Sequence, residues 1–413
     1  MLKKIGQLKD YIIYGSGQVL NLVAPLLIAP HIIEVSGWEN MGKIGIALSV
    51  FTLLGIFIDF GSLLLGVKEL SVNQNDSAKI KKQLDEVYTF RVIMFSVLVI
   101  LVLLSLLLFD IDYRLYLCGI ALLVSQLVNP IWIYQTFEEF TTINRIIVIS
   151  KIIYVAAVYA FINTPDAYPY MLLYFGGANA IIYGIYFIKI YRKYQMQLFS
   201  VPIKTLEDNF RREYPIVISN FSIAAYTYGP ILIVGHIGGE YLAGIYHVGD
   251  MFLKIIRSYL GVFFNVSFPK FCASYNIDKK KGMQLLKTIN KYHLAFISFG
   301  LLVAYIVVPL FIDGLSLSQD FKDKTIFCLM FLGLSLIIAI NIPFYQMLIY
   351  YNKQKHISAI SISGAFLMLI SCYFLTRYFN LNGSVVSLYI VEIFITASII
   401  VVYFKTRNKE KRI

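Results

Sequence analysis

Asp250, Lys254 and Arg257 stand at i, i+4 and i+7 inside the apolar run 241–268. On a helix this spacing puts all three side chains on one face. An ionised group at the centre of a membrane helix costs about 2.5–3.5 kcal/mol, so such groups face a cavity or a partner. Lys254 falls near the middle of the run, where Asp250 can partly neutralise it. Two readings stay open: a salt bridge that ties helices together, or a cationic stripe that holds an anionic substrate. Arg91 and Lys151 are two more cations inside apolar runs. Each is either a substrate-binding group in the other half of the chain or a side chain that snorkels to the interface. Asp59, within Asp59-Phe60-Gly61, and Glu392, between Val391 and Ile393, are candidates for H+ or Na+ coupling. Pairing or a helix–helix hydrogen bond is the alternative for both. His31 and His236 lie near the ends of their runs, with no carboxylate or Cys at ligand spacing. The four cysteines, Cys118, Cys272, Cys328 and Cys372, are scattered and show no Cys-x-x-Cys. Neither a metal site nor a cofactor is expected.

These charges sit in a chain that is 58% hydrophobic and only 15% charged, where a soluble domain carries about 25%. A hydrocarbon core about 30 Å thick needs about 20 apolar residues per helix. Runs of that length fall near 11–33, 44–66, 87–109, 113–134, 146–162, 168–189, 214–236, 241–268, 292–312, 325–350, 356–377 and 383–404. Lipid leaves no backbone polar group unpaired, so the expected fold is all-α and integral to the membrane, with about twelve transmembrane helices. The net charge of +12 comes mostly from Lys and Arg at the termini and the even-numbered loops. That is a topology signal: both termini are expected in the cytoplasm, and no nucleic-acid role is expected. The N-terminal run is read as a retained first helix, because Pro25, Pro30 and His31 interrupt it without a small-residue cleavage site. The tail Lys409-Glu410-Lys411-Arg412-Ile413 reads as a basic cytoplasmic tail.

The first and seventh runs resemble one another. Residues 24–32 and 229–237 share Pro25/Pro230, Leu27/Leu232, Ile28/Ile233, His31/His236 and Ile32/Ile237. Duplication then gives two parallel six-helix repeats around a central cavity, the architecture in which transporters hold substrate near the midplane. The expected division is 1–190 and 214–413, joined by a basic cytoplasmic linker and hinge at 191–213. Prolines 130 and 343 are among those expected to kink spans. Tyr226 and Tyr228 beside Asn220 form a combination able to stack on sugar rings. No nucleotide-binding or hydrolase motif is present. The outer loops are short, the longest running about Asp313–Lys324, so no enzymatic domain is expected.

Several segments carry a resemblance. Asp59-Phe60-Gly61, the stretch Asn129-Pro130-Ile131-Trp132-Ile133-Tyr134-Gln135 with Glu138, Tyr214-Pro215 after the basic linker, and Pro269 before a Lys-rich loop occur in order. In this the chain resembles the Wzx-type O-antigen and polysaccharide flippases of the multidrug/oligosaccharidyl-lipid/polysaccharide exporter superfamily. One departure is Thr136, where the family commonly has Gly. The resemblance implies translocation of a polyprenyl-pyrophosphate-linked oligosaccharide across a bacterial inner membrane, beside other polysaccharide-assembly membrane proteins. It implies a pyrophosphate held by Lys254 and Arg257 with Arg91 and Lys151. A cation-coupled multidrug exporter of the same architecture, or a membrane scaffold or transferase, is the alternative. Four embedded cations against three embedded acids favour an anionic cargo.

Overall fold

The computed structural model describes residues 2–62, 66–73, 76–314 and 319–410, without the side chains at 2–16, 18, 68, 215, 219, 265, 409 and 410. The end of the basic tail, part of the loop near Asp313–Lys324 and the Pro215 side chain lie outside the described residues. Among the described residues every regular element is helical. In order they are α1 Leu2–Asp59, α2 Val67–Val72, α3 Ser77–Leu108, α4 Tyr113–Leu127, α5 Ile131–Thr136 and α6 Phe140–Phe161. Then come α7 Tyr170–Tyr194, α8 Ile203–Ile277, α9 Lys279–Asp313, α10 Gln319–Cys328, α11 Leu334–Tyr350 and α12 Gln354–Glu410. Nine stretches among them are long and apolar enough to cross a membrane. The chain is a multi-pass membrane protein.

Three of these stretches, of 41, 62 and 55 residues, exceed the length of one crossing. Each is broken by one non-helical residue: Gly37 (φ 83°, ψ 168°), Gly239 (φ 81°, ψ 173°) and Asn380 (φ 51°, ψ −136°). Glycine meets no Cβ clash at positive φ, and asparagine tolerates it better than most residues.

The chain forms two compact units, Met1–Tyr228 and Gly229–Ile413. Several backbone details of the first recur in the second. Gly37 and Gly239 stand 202 positions apart (239 less 37). Asp76 and Asp278 have the same spacing (278 less 76), and each caps a long helix. Asp76 accepts from the N–H groups of Ala78 and Lys79, and Asp278 from those of Lys280 and Lys281. Further along, Glu138 (φ 57°) and Asn352 (φ 56°) close matching turns. In one the N–H of Glu139 donates to Tyr134 O at 2.9 Å. In the other Lys353 N–H donates to Leu348 O at 2.9 Å.

This register corrects one sequence expectation. His31 and His236 are 205 apart, three residues out of step with the glycine breaks. They do not occupy equivalent places: His31 Nε2 lies 2.9 Å from Ile162 O, whereas His236 is exposed. Three residues is close to one helical turn, so two apolar helices can be slid by that much while keeping similar faces aligned.

Within the first unit α7 packs on α4 at Gly176. A Cβ there would meet the backbone of Ala121 and Leu122 at 2.5 Å. Small residues let membrane helices approach this closely. Gly176→Ala is therefore expected to cost about 1–3 kcal/mol by overpacking. Gly177→Ala, where a Cβ meets nothing within 4 Å, is expected to be near neutral. Melting of the two purified variants checks the difference.

Candidate functional site

Three of the four embedded cations meet an embedded acid. Arg91 Nη2 is 2.8 Å from Asp59 Oδ1, Lys254 Nζ is 2.7 Å from Asp250 Oδ2, and Arg257 Nη2 is 2.9 Å from Glu392 Oε1. Lys151 is different. Its Nζ donates to Asn179 Oδ1 at 3.3 Å and sits 4.1 Å from the Phe175 ring centroid. Among the described residues no carboxylate comes within 4 Å of it. Phe175 and Asn179 are one turn apart on α7, so ring and amide reach the ammonium from one helix face.

Arg91 does not snorkel. It is 1% exposed, and its place follows from Pro130. Proline has no N–H, so the Gln126 carbonyl four residues earlier loses its helical donor. α4 stops at Leu127. Arg91 Nη1 donates to Asn129 O at 2.9 Å and to Gln126 O at 3.4 Å, and Tyr88 Oη–H donates to Asn129 O at 3.0 Å. The guanidinium carbon lies 5.1 Å from the Tyr88 ring and 5.9 Å from the Trp132 ring. Asp59 Oδ1 also accepts from Ser62 Oγ at 2.6 Å. Arg91 thus joins the ends of α1 and α4 to α3 and leaves no donor for a substrate on its terminal nitrogens.

A cavity of about 800 Å³ lies in the first unit. α1, α4, α6, α7 and the first part of α8 supply its wall. Lys151 and Asp59 line it; Arg91 does not. Asn220 and Tyr228 line it as well, while Tyr226 does not. Sequence reasoning missed Phe175, Asn179, Gln126 and Asn21, because single amides and rings on separate helices form no motif.

In the second unit the stripe on α8 is as spaced, and Glu392 of α12 joins it. Glu392 is paired, since Arg257 reaches it across 135 positions. His247 was also missed. It lies three residues before Asp250, 2% exposed, with no partner on Nε2. Its signal was the i, i+3, i+7 run His247–Asp250–Lys254.

The stretch predicted as a hinge is anchored in the first unit. Asp85 Oδ1 accepts the Gln197 N–H at 2.7 Å, and Thr89 Oγ1 accepts the Phe199 N–H at 3.1 Å. The two bonds hold a turn in place, in which the Ser200 N–H donates to Gln197 O at 3.4 Å and Phe199 takes φ 66°.

The polysaccharide biosynthesis protein family matches residues 7–275. A protein of Escherichia coli (strain K12) described as an O-antigen transporter is 23% identical over 98% of both chains. One of Shigella dysenteriae with the same description is 19% identical, over 93% of this chain and 96% of that one. Among solved structures, the lipid II flippase MurJ in an inward closed conformation superposes with a TM-score of 0.67 at 13% identity, covering 97% of this chain and 87% of its own. An inward-facing multidrug resistance MATE family transporter of the MOP superfamily gives 0.64 at 16% identity, covering 97% and 98%.

Proposed function

The chain belongs to the polysaccharide biosynthesis protein family, whose relatives here are transporters rather than enzymes, and on that premise we propose that it is a flippase for a polyprenyl-pyrophosphate-linked oligosaccharide. The cargo moves from the cytoplasmic to the outer leaflet of a bacterial inner membrane by alternating access. The three broken helices count as two crossings each, which brings nine stretches to twelve in two six-helix repeats with both termini in the cytoplasm. The recurring caps and turns support this layout.

One observation carries the reading: Lys151 is an embedded cation at a cavity wall with no carboxylate within 4 Å among the described residues. An anionic pyrophosphate supplies the missing charge. Lys254 and Arg257 are candidate anion contacts within the second unit, where Asp250 and Glu392 already offset them. Lys254→Ala and Arg257→Ala are therefore expected to reduce export by less than loss of Lys151 does, with surface glycan per unit of membrane protein as the measure. For coupling to H+ or Na+, Asp59 and Glu392 must first leave an arginine.

The test is reconstitution of the purified chain in liposomes. The expected result is movement of a fluorescent polyprenyl-pyrophosphate glycan between leaflets, without movement of a cationic dye. Transport of the dye alone supports the multidrug exporter. Transport of neither supports a scaffold.

A further inference from the structure

The cavity of the first unit carries more unused hydrogen-bonding capacity than charge. Asn21 on α1, Gln126 on α4, Asn179 and Tyr183 on α7 and Asn220 on α8 all line it. Asn179 Oδ1 receives Lys151, which leaves the Asn179 amide N–H groups open. The side-chain polar atoms of Asn21, Gln126, Tyr183 and Asn220 make no hydrogen bond among the described residues. None of these open atoms is sealed from the cavity, since none is among the buried unpartnered atoms. Four of the five are half-buried, so their polar groups are free to bond to a molecule that enters the cavity.

Their chemistry restricts that partner. A carboxamide offers two donors and an acceptor without net charge, and a tyrosine hydroxyl offers one of each. Sugar hydroxyls and acetamido groups need both roles at each position. A uronic carboxylate or phosphate needs donors and countercharge only. The cavity answers that need once, at Lys151, and its other ionic group, Asp59, would repel such a ligand. Phe175 and Tyr228 add aromatic surface for the apolar faces of sugar rings. A pocket for a purely apolar drug carries few polar groups by comparison. The volume of about 800 Å³ lies at the upper end of small-molecule sites, about 300–1,000 Å³.

We propose that this cavity binds uncharged sugars, and that Asn21, Gln126, Tyr183 and Asn220 determine which sugars pass. The inference rests on the flippase reading for its biological sense, but sugar binding is measurable without transport. The experiment uses the full chain purified in detergent and follows its melting with three disaccharides. N,N′-diacetylchitobiose and cellobiose are the uncharged probes, and an unsulfated chondroitin disaccharide carries a uronic carboxylate. At least one uncharged probe is expected to raise the melting temperature more than the uronic one does. Tyr183→Phe, which removes one hydroxyl and keeps the ring, and Asn220→Ala are each expected to weaken that binding about three- to tenfold. Melting of the empty variants shows that they fold. An equal or larger effect of the uronic probe overturns the proposal, as does unchanged binding in both variants or no effect of any probe. A wild-type protein that binds the uncharged sugar yet moves no lipid-linked glycan in liposomes overturns the flippase reading and leaves the sugar site standing.

Discussion

Replacing Lys151 by methionine is expected to abolish glycan export and to raise the melting temperature at once. Methionine keeps most of the stem volume and removes the charge. At 4 Å and an effective dielectric of about 20, a cation and an anion attract by about 4 kcal/mol. That is about a thousandfold in affinity for a pyrophosphate. In the absence of cargo, the same cation is held by one amide oxygen and one ring. Removing it spares the protein the desolvation of an uncompensated charge. Opposite signs for function and stability mark a group kept for its ligand. Lys151→Arg is expected to keep part of the activity, since a guanidinium also meets phosphate, with different geometry. Surface glycan in cells lacking their own transporter gives the first sign, and melting of the purified protein gives the second. Export at wild-type level by Lys151→Met ends the case for a cationic anion site here.

Arg91→Ala is expected to act through folding alone. It leaves the Asp59 carboxylate without its guanidinium and takes the side-chain donor from Gln126 O and one from Asn129 O. Breaking a buried pair from one side costs about 3–5 kcal/mol, a large part of the total stability of a typical protein. Little monodisperse protein should be recovered by size-exclusion chromatography. Arg91→Lys should not restore it, because one ammonium cannot reach both the carboxylate and the two carbonyls as the planar fork does. Removing both charges, with Arg91→Leu and Asp59→Leu, should recover part of the loss. If Arg91→Ala is produced and melts like the wild type, the network does not hold these helix ends together.

The difference between these two cations was not legible in the sequence. Both are single basic residues inside apolar runs. Arg91 finds Asp59 across 32 positions and Arg257 finds Glu392 across 135, and hydropathy says nothing about which runs touch. Only Asp250–Lys254, at i, i+4 on one helix, was readable as a pair. Lys151 stands out once the other cations are paired, which requires the structure. The helices themselves were legible because lipid demands length and apolarity of every crossing. The expected alignment of the first and seventh runs rested on the His31/His236 match, which is three residues out of step with the glycine breaks, and a single glycine carries almost no sequence signal. The amides around the cavity come from four helices and so had no spacing to betray them.

The breaks at Gly37, Gly239 and Asn380 also decide where this chain can be lengthened. Each connection takes one residue out of helical geometry, so an inserted peptide has no slack to occupy and must unwind a helix end on either side. The stretch between α7 and α8 is different, because residues 195–202 belong to neither helix. Epitope tags or reporter domains belong between Phe199 and Ile203 rather than beside Gly37, and length differences among relatives should collect in the same place.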